Sequence, residues 1–360
     1  METIDRFSIG DLLRFRIIDR SGRLNRIFST FNQQYENFIT NDASEEYDLT
    51  INIGSYRPEL KGCYASGDGK FYFKENYLHV PHESLKGAKW GFEIKGLNEK
   101  KTEINVDCNE LGRIFIEGYV IDFMIHLKLS EIGYPIIHAS SVKKANRGFL
   151  FASRGGGGKT TVALRLASSE FDFMGDNYTI LHNGTLIGLP TSLNIFTYNI
   201  SPRIMEKMST KERRMFKLKG GLYNATGGYA KFFTKINPQR IFEQIGGSAK
   251  LDLGFFLLPT KQNGNIDIKE IEASEFARRN LFNQKLEFPH FDRYIREYSF
   301  FFPEADFSRH WEGYSVAIVN HLSKNARYYL VTVPVRFDDS VMRRILSKVS
   351  DRTFEQGEIG

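Results

Sequence analysis

Between residues 148 and 166 the chain reads GFLFASRGGGGKTTVALRL, with four glycines, a lysine and two threonines between a run suited to a buried strand and a run suited to a helix. Glycine lets successive backbone N–H groups turn inward on phosphate oxygens, and a helix that starts at the lysine adds the positive end of its dipole. The spacing GxxxxGK[ST] is met at its last three places by Gly158, Lys159 and Thr160. Arg154, Gly155, Gly156, Gly157, Gly158, Lys159, Thr160 and Thr161 are therefore expected to line the phosphates of a nucleotide. In that arrangement Lys159 reaches the β- and γ-phosphates and the Thr160 hydroxyl ligates Mg²⁺. Ser153 stands where the pattern has its first glycine, so the turn begins without freedom at positive φ, which the glycines after it restore.

The following run, EFDFMGDNYTIL, brings an acid back to the loop. A helix from Thr160 to Ser169 carries the chain about 15 Å away at 1.5 Å per residue. An extended segment from Phe171 to Asp176 returns it by a similar distance at about 3.3 Å per residue. Asp176 is thus expected beside the loop, where a carboxylate can hold Mg²⁺ or take a proton from a hydroxyl that attacks the γ-phosphate. An Asp-Asn pair that opens a turn after a strand is the plainer alternative.

Taken in order, IIHASSV, GFLFASRGGGGKTTVAL and FDFMGDN resemble the HPr kinase/phosphorylase family and its phosphoenolpyruvate-carboxykinase-like relatives, over residues 131–190. That family has a His-containing strand, a hairpin into a P-loop ending GKS or GKT, an Ala-Leu-bearing helix and a strand ending in Asp-Asp. The short separation of Lys159 and Asp176 fits it better than P-loop proteins whose acid lies much farther along. The resemblance implies a mixed-sheet α/β P-loop kinase domain that uses ATP, or another nucleoside triphosphate, with Mg²⁺. It implies Asp176 as catalytic base, Lys159 and Thr160 as phosphate and metal residues, and His138 facing the phosphates. A lone histidine at a strand end is equally compatible with a structural role. Asn177 replaces the family's second Asp, so the metal set becomes Thr160, Asp176 and Asn177, with an amide oxygen as a weaker, uncharged ligand. The downstream Glu-x-Arg-Gly signature has no counterpart, which argues against HPr as the substrate.

Farther along, RIMEKMSTKERRMFKLK concentrates basic residues. A solvated helical face is the default for such a run. Followed by GGLYNATGGYAKFF, it is alternatively a mobile segment that closes over nucleotide and excludes water. Arg203, Lys231, Lys235 and Arg240 are the candidates for stabilising charge on the γ-phosphate.

The elements that must position these groups follow from pattern. Residues 1–110 are rich in alternating and aromatic runs broken by Gly, Asn and Pro, which predicts a β-meander or small sandwich. Residues 110–130 place apolar side chains three and four apart, which predicts a largely buried helix. YPIIHASSV, KKANRG and FLFAS predict a hairpin leading into the glycines. LDLGFFLLP and RYYLVTVPV predict core strands, and SEFARRNLF and SVMRRILSKV predict amphipathic helices. The expected organisation is a β-rich domain over residues 1–125, serving substrate docking or oligomerisation, followed by the kinase domain over 126–360.

Composition narrows the partners. A charge of +6 and pI near 9.0 suit acidic ligands but fall short of a dedicated nucleic-acid binder. The basic run also lacks interleaved aromatics for base stacking. Cys63 and Cys108 are far apart and form no CxxC, so neither a disulfide framework nor a zinc site is implied. No apolar run approaches the ~20 residues of a membrane span, and the first residues carry acids where a signal peptide is basic. The expectation is a cytoplasmic kinase acting on a Ser or Thr of a peptide or protein. A small-molecule hydroxyl acceptor, such as free serine or a sugar, and a nucleotide-binding module without catalysis are the alternatives. A homo-oligomer is left open.

Overall fold

The structure, a computed structural model, describes residues 2–21, 31–42, 46–167, 171–196, 202–225, 233–260, 266–334, 344, 345 and 347. The protein is mixed α/β and divides into two compact units, Met1–Pro135 with Phe288–Ala317, and Ile136–Glu287 with Ile318–Gly360.

The first unit is built on β1 (Thr3–Ile9), β2 (Leu13–Asp19), β3 (Leu49–Ile53), β4 (Tyr64–Ala65), β5 (Tyr72–Lys74), β6 (Tyr77–Leu85), β7 (Ala88–Lys95) and β8 (Thr102–Cys108). They form one sheet in the order β1-β2-β3-β8-β7-β6-β5-β4. Strands β4 to β8 pair antiparallel in sequence, but β3 lies parallel to both β2 and β8, so the sheet is mixed and not a simple meander. Alternation is strict where one face is buried: Leu49, Ile51 and Ile53 point inward from β3, and Ile104 and Val106 from β8. The buried helical stretch expected over 110–130 is present as Gly112–Ile116, a π-helical turn Glu117–Ile121, and Asp122–Glu131. It is buried nearly all round, with Arg113, Glu117, Asp122, His126 and Lys128 among its enclosed side chains. Phe123 stacks on Phe291 of the helix Pro289–Phe301, which in turn packs Phe291 on Phe92 and Tyr298 on Phe73. These ring contacts bring Phe288–Ala317 into this unit. In the same unit, Arg113 and Asp19 form a buried ion pair, Nη1 to Oδ2 2.7 Å.

The second unit contains β9 (Ile136–Ile137), β10 (Ala139–Lys144), β11 (Arg147–Ala152), β12 (Asp172–Gly175), β13 (Thr179–His182), β14 (Thr185–Gly188), β15 (Leu193–Phe196), β16 (Phe233–Ile236), β17 (Ser248–Thr260), β18 (Asp267–Ile271) and β19 (Arg327–Pro334). The main sheet runs β12-β10-β11-β17-β14-β13-β9, with β19 joining β17 to β18; β15 and β16 pair separately. The predicted hairpin is β10 and β11, in register from Ala139↔Ala152 to Lys144↔Arg147. Strand β10 is antiparallel to both β11 and β12, whereas β17 is parallel to β11 and β19 parallel to β17. The C-terminal ends of β11, β12 and β17 therefore meet the start of β10 at one edge of the sheet. That edge, beyond the carboxyl ends of parallel strands, is where open α/β sheets leave a crevice. The core beneath it packs Phe149, Phe151, Leu253, Phe255, Val331 and Val333 from the strands against Val162 and Leu166 of the helix Lys159–Ala167.

Candidate active site

The glycine loop, residues 153–158, joins β11 to the helix Lys159–Ala167, as the strand-like and helix-like flanks predict. The glycines differ in what requires them. Gly156 and Gly158 adopt φ of +85° and +92°, a region L side chains rarely enter. Gly157 is required by crowding, because a Cβ there would lie 1.6 Å from Ser153 Oγ. Gly155 needs neither. Ser153 itself is buried, and its hydroxyl donates to Leu257 O of β17 at 2.9 Å, which fixes the loop's first residue to the neighbouring strand end. The Gly157 N–H returns to Arg154 O at 2.9 Å, while Arg154, Gly155 and Gly156 are exposed.

Asp176 follows β12 directly and is 1% exposed. Its carboxylate accepts the Thr160 hydroxyl at 3.0 Å to each oxygen, and the Ser140 hydroxyl donates to Oδ1. The return distance anticipated from helix rise and strand rise thus closes on the loop. Lys159, also buried, has its ammonium pKa pushed down by burial, against which Asp176 and Glu287 act. Asn177 takes φ +67° and its carbonyl accepts the Ala139 N–H at 3.1 Å, so its backbone makes the turn out of β12, a conformation asparagine tolerates.

His138 lies immediately before β10, buried, with Nδ1 2.8 Å from Glu287 Oε1. At that distance the contact is attractive only with a proton on Nδ1, the protonation that the Glu287 carboxylate favours. Burial and the Lys159 charge depress the His138 pKa; Glu287 and Asp176 oppose them. Glu287 was not singled out from the sequence. Burial raises its pKa, but His138, Lys159 and the nearby Gly155 N–H hold the carboxyl below its usual value.

Glu287 ends the helix Ala273–Glu287, and this helix presents a polar face inward. Asn280, Asn283 and Gln284 are buried while Phe282 and Leu286 are exposed. Gln284 Oε1 accepts the His138 N–H at 3.1 Å, and Asn283 Nδ2 donates to His138 O and to Ser153 O, both at 3.3 Å. The helix thereby holds the start of β10 and the start of the glycine loop together. The sequence signal was there in Asn280, Asn283, Gln284 and Glu287 at helical spacing, a polar stripe where an amphipathic reading assigns solvent.

The basic run is largely structural. Ser209 and Glu212 form a capping box for the helix Thr210–Ala225, with Ser209 N–H donating to Glu212 Oε2 at 2.7 Å and Glu212 N–H to Ser209 Oγ at 3.3 Å. Arg213 donates to the carbonyls of Met205 and Met208 at the end of the helix Pro202–Lys207. Lys219 Nζ donates to Phe233 O at 2.6 Å, and Arg240 pairs with Glu212 at 2.5 Å. Gly220 and Gly221, expected in a mobile segment, are helical. Residues 226–232, including Lys231, and the side chain of Arg203 lie outside the described residues, as does most of SVMRRILSKV. Lys235 lies on β16 between buried Thr234 and Ile236. No helix among the described residues is long and apolar enough to cross a membrane.

No family model and no curated protein matches the chain. Among solved structures it is similar to the HPr(Ser) kinase/phosphatase from Coxiella burnetii, at 10% identity over 62% of this chain and 98% of the other, with a TM-score of 0.28. A likeness that distant says nothing of what this chain does.

Proposed function

We propose that the second unit is a P-loop phosphotransferase that binds ATP or another nucleoside triphosphate on the glycine loop and moves its terminal phosphoryl group to a hydroxyl. The observation that carries this reading is the placement of Thr160 Oγ1 3.0 Å from both oxygens of buried Asp176, next to Lys159 at the start of a helix that follows four glycines. Mg²⁺ fits the donor set: Thr160 and Asp176 offer hard oxygens. When bound, Mg²⁺ would neutralise charge on the phosphates. Asn177, whose backbone serves the turn, is the weaker third ligand in this reading.

The loop amides and Lys159 hold the phosphates, and Asp176 takes the proton of the acceptor hydroxyl as its oxygen bonds to the γ-phosphorus. The bond from γ-phosphorus to the bridging oxygen breaks, and the charge left on the diphosphate is held by Lys159 and the loop N–H groups. His138 sits within electrostatic range of Lys159 and Asp176 and shapes that field. A Ser or Thr of a peptide or protein is the first-choice acceptor, and a small-molecule hydroxyl is the alternative. The amide at 177 favours, as a second reading, a nucleotide-binding module without turnover.

Incubation with γ-labelled ATP, Mg²⁺ and Ser/Thr peptides, with the label located by mass spectrometry, tests the reading. Wild type is expected to transfer label. Asp176→Ala should bind nucleotide and lose transfer by at least about 10²-fold, the scale of a lost general base. Binding without turnover in wild type supports the module. ATP affinity unchanged in Lys159→Ala overturns both.

A further inference from the structure

The nucleotide-site reading leaves Glu287 unexplained. It is the last residue of its helix, its side chain is 28% exposed, and its carboxylate faces three groups suited to a phosphate oxygen. His138 Nδ1 lies 2.8 Å from Oε1, and the Lys159 charge and the Gly155 N–H both act on the carboxylate. Asp176, the other carboxylate of the site, is turned instead to the hydroxyls of Thr160 and Ser140. The two acids thus divide the loop, one on the threonine side and one on the side of its exposed glycines.

We propose that Glu287 is the resident anion of the glycine loop, competing with the nucleotide's terminal phosphate for the Gly155 N–H and the Lys159 charge, and that it sets nucleotide affinity by having to leave. This rests on the nucleotide-site reading above. A carboxylate and a phosphate oxygen cannot both take the same N–H, and two anions beside one buried lysine repel each other. Asn283 and Gln284, one turn earlier than Glu287, keep the loop and His138 in place as it leaves.

The test is calorimetric titration of the full chain with ATP and Mg²⁺. Glu287→Gln, which keeps size and removes charge, is expected to bind about ten-fold more tightly than wild type, equivalent to about 1.4 kcal/mol. Glu287→Asp, which keeps the charge, should stay near wild type. Equal or weaker binding in Glu287→Gln, with wild-type binding still lost in Lys159→Ala, overturns the competition and leaves the nucleotide site standing. No dependence on Lys159 overturns both. Hydrogen exchange on wild type gives a readout free of any variant: ATP should slow exchange over residues 153–160 and speed it over 284–287. Slowing of both segments refutes the displacement.

Discussion

Ser153 occupies the place of the first glycine in GxxxxGK[ST], and its surroundings explain why the exchange is tolerated. It needs no positive φ, and its hydroxyl is satisfied by Leu257 O. The side chain fills the volume that a Cβ on Gly157 would need. Gly157→Ala is therefore expected to destabilise the protein by about 1–3 kcal/mol through overpacking and to weaken ATP binding with it. In a Ser153→Gly background, where the obstructing side chain is gone, the same substitution should cost markedly less. Chemical denaturation of the four variants of this double-mutant cycle measures the coupling, and additive effects would refute the shared volume. Lys159, Thr160 and Asp176 were legible from spacing, since rise per residue alone returns the acid to the loop. Glu287 was not, because nothing local ties position 287 to position 155.

Among elements, the helix Ala273–Glu287 departs furthest from expectation. Its apolar residues at 282 and 286 face solvent while its amides face the site, so hydrophobic periodicity assigns the wrong side of its second half. Buried amides persist only where they meet backbone groups, and here they meet His138 and Ser153. Asn283→Ala would leave two buried carbonyls without that donor. A loss of about 1–3 kcal/mol in stability is expected. Nucleotide affinity should fall too, whereas Phe282→Ser, on the exposed face, should leave both unchanged. Thermal denaturation with and without ATP separates these outcomes. The helix Thr210–Ala225 shows the converse: a run whose charge suggests a partner surface uses Glu212 and Arg213 on its own caps and on its neighbour's end. Capping boxes are readable from sequence, and Ser209 with Glu212 was such a pair.

For the whole molecule, the chain enters the second unit after Pro135, leaves it after Glu287 beside the candidate site, and returns at Ile318. Both tryptophans, Trp90 and Trp311, fall in the first unit, so their fluorescence reports its unfolding. There, burial raises the Asp19 pKa but hydrogen bonds from Arg113 and Ser21 outweigh it and bring it to about 2 from 3.8. Because the folded value is the lower one, this stabilisation is complete above about pH 4 and is lost as pH falls toward 2. Asp19→Asn, which leaves the buried guanidinium only the more distant Glu110, at 3.7 Å, as a charged partner, should cost about 3–5 kcal/mol near neutrality and flatten the fluorescence-detected acid dependence in that window. An unchanged acid limb would show that the pair does not govern it. The hairpin into the loop, the loop helix, the buried helical stretch after residue 110 and the nearness of Asp176 to Thr160 were all fixed by the amino-acid sequence on its own. Each depends on local periodicity or on a connection short enough for bond geometry to determine. The parallel insertion of β3, the return of residues 288–317 to the first unit and the approach of Glu287 to Gly155 were decided only by tertiary packing. They join segments far apart in the chain, where the choice of neighbour depends on which surfaces remain to be buried once the local elements have formed.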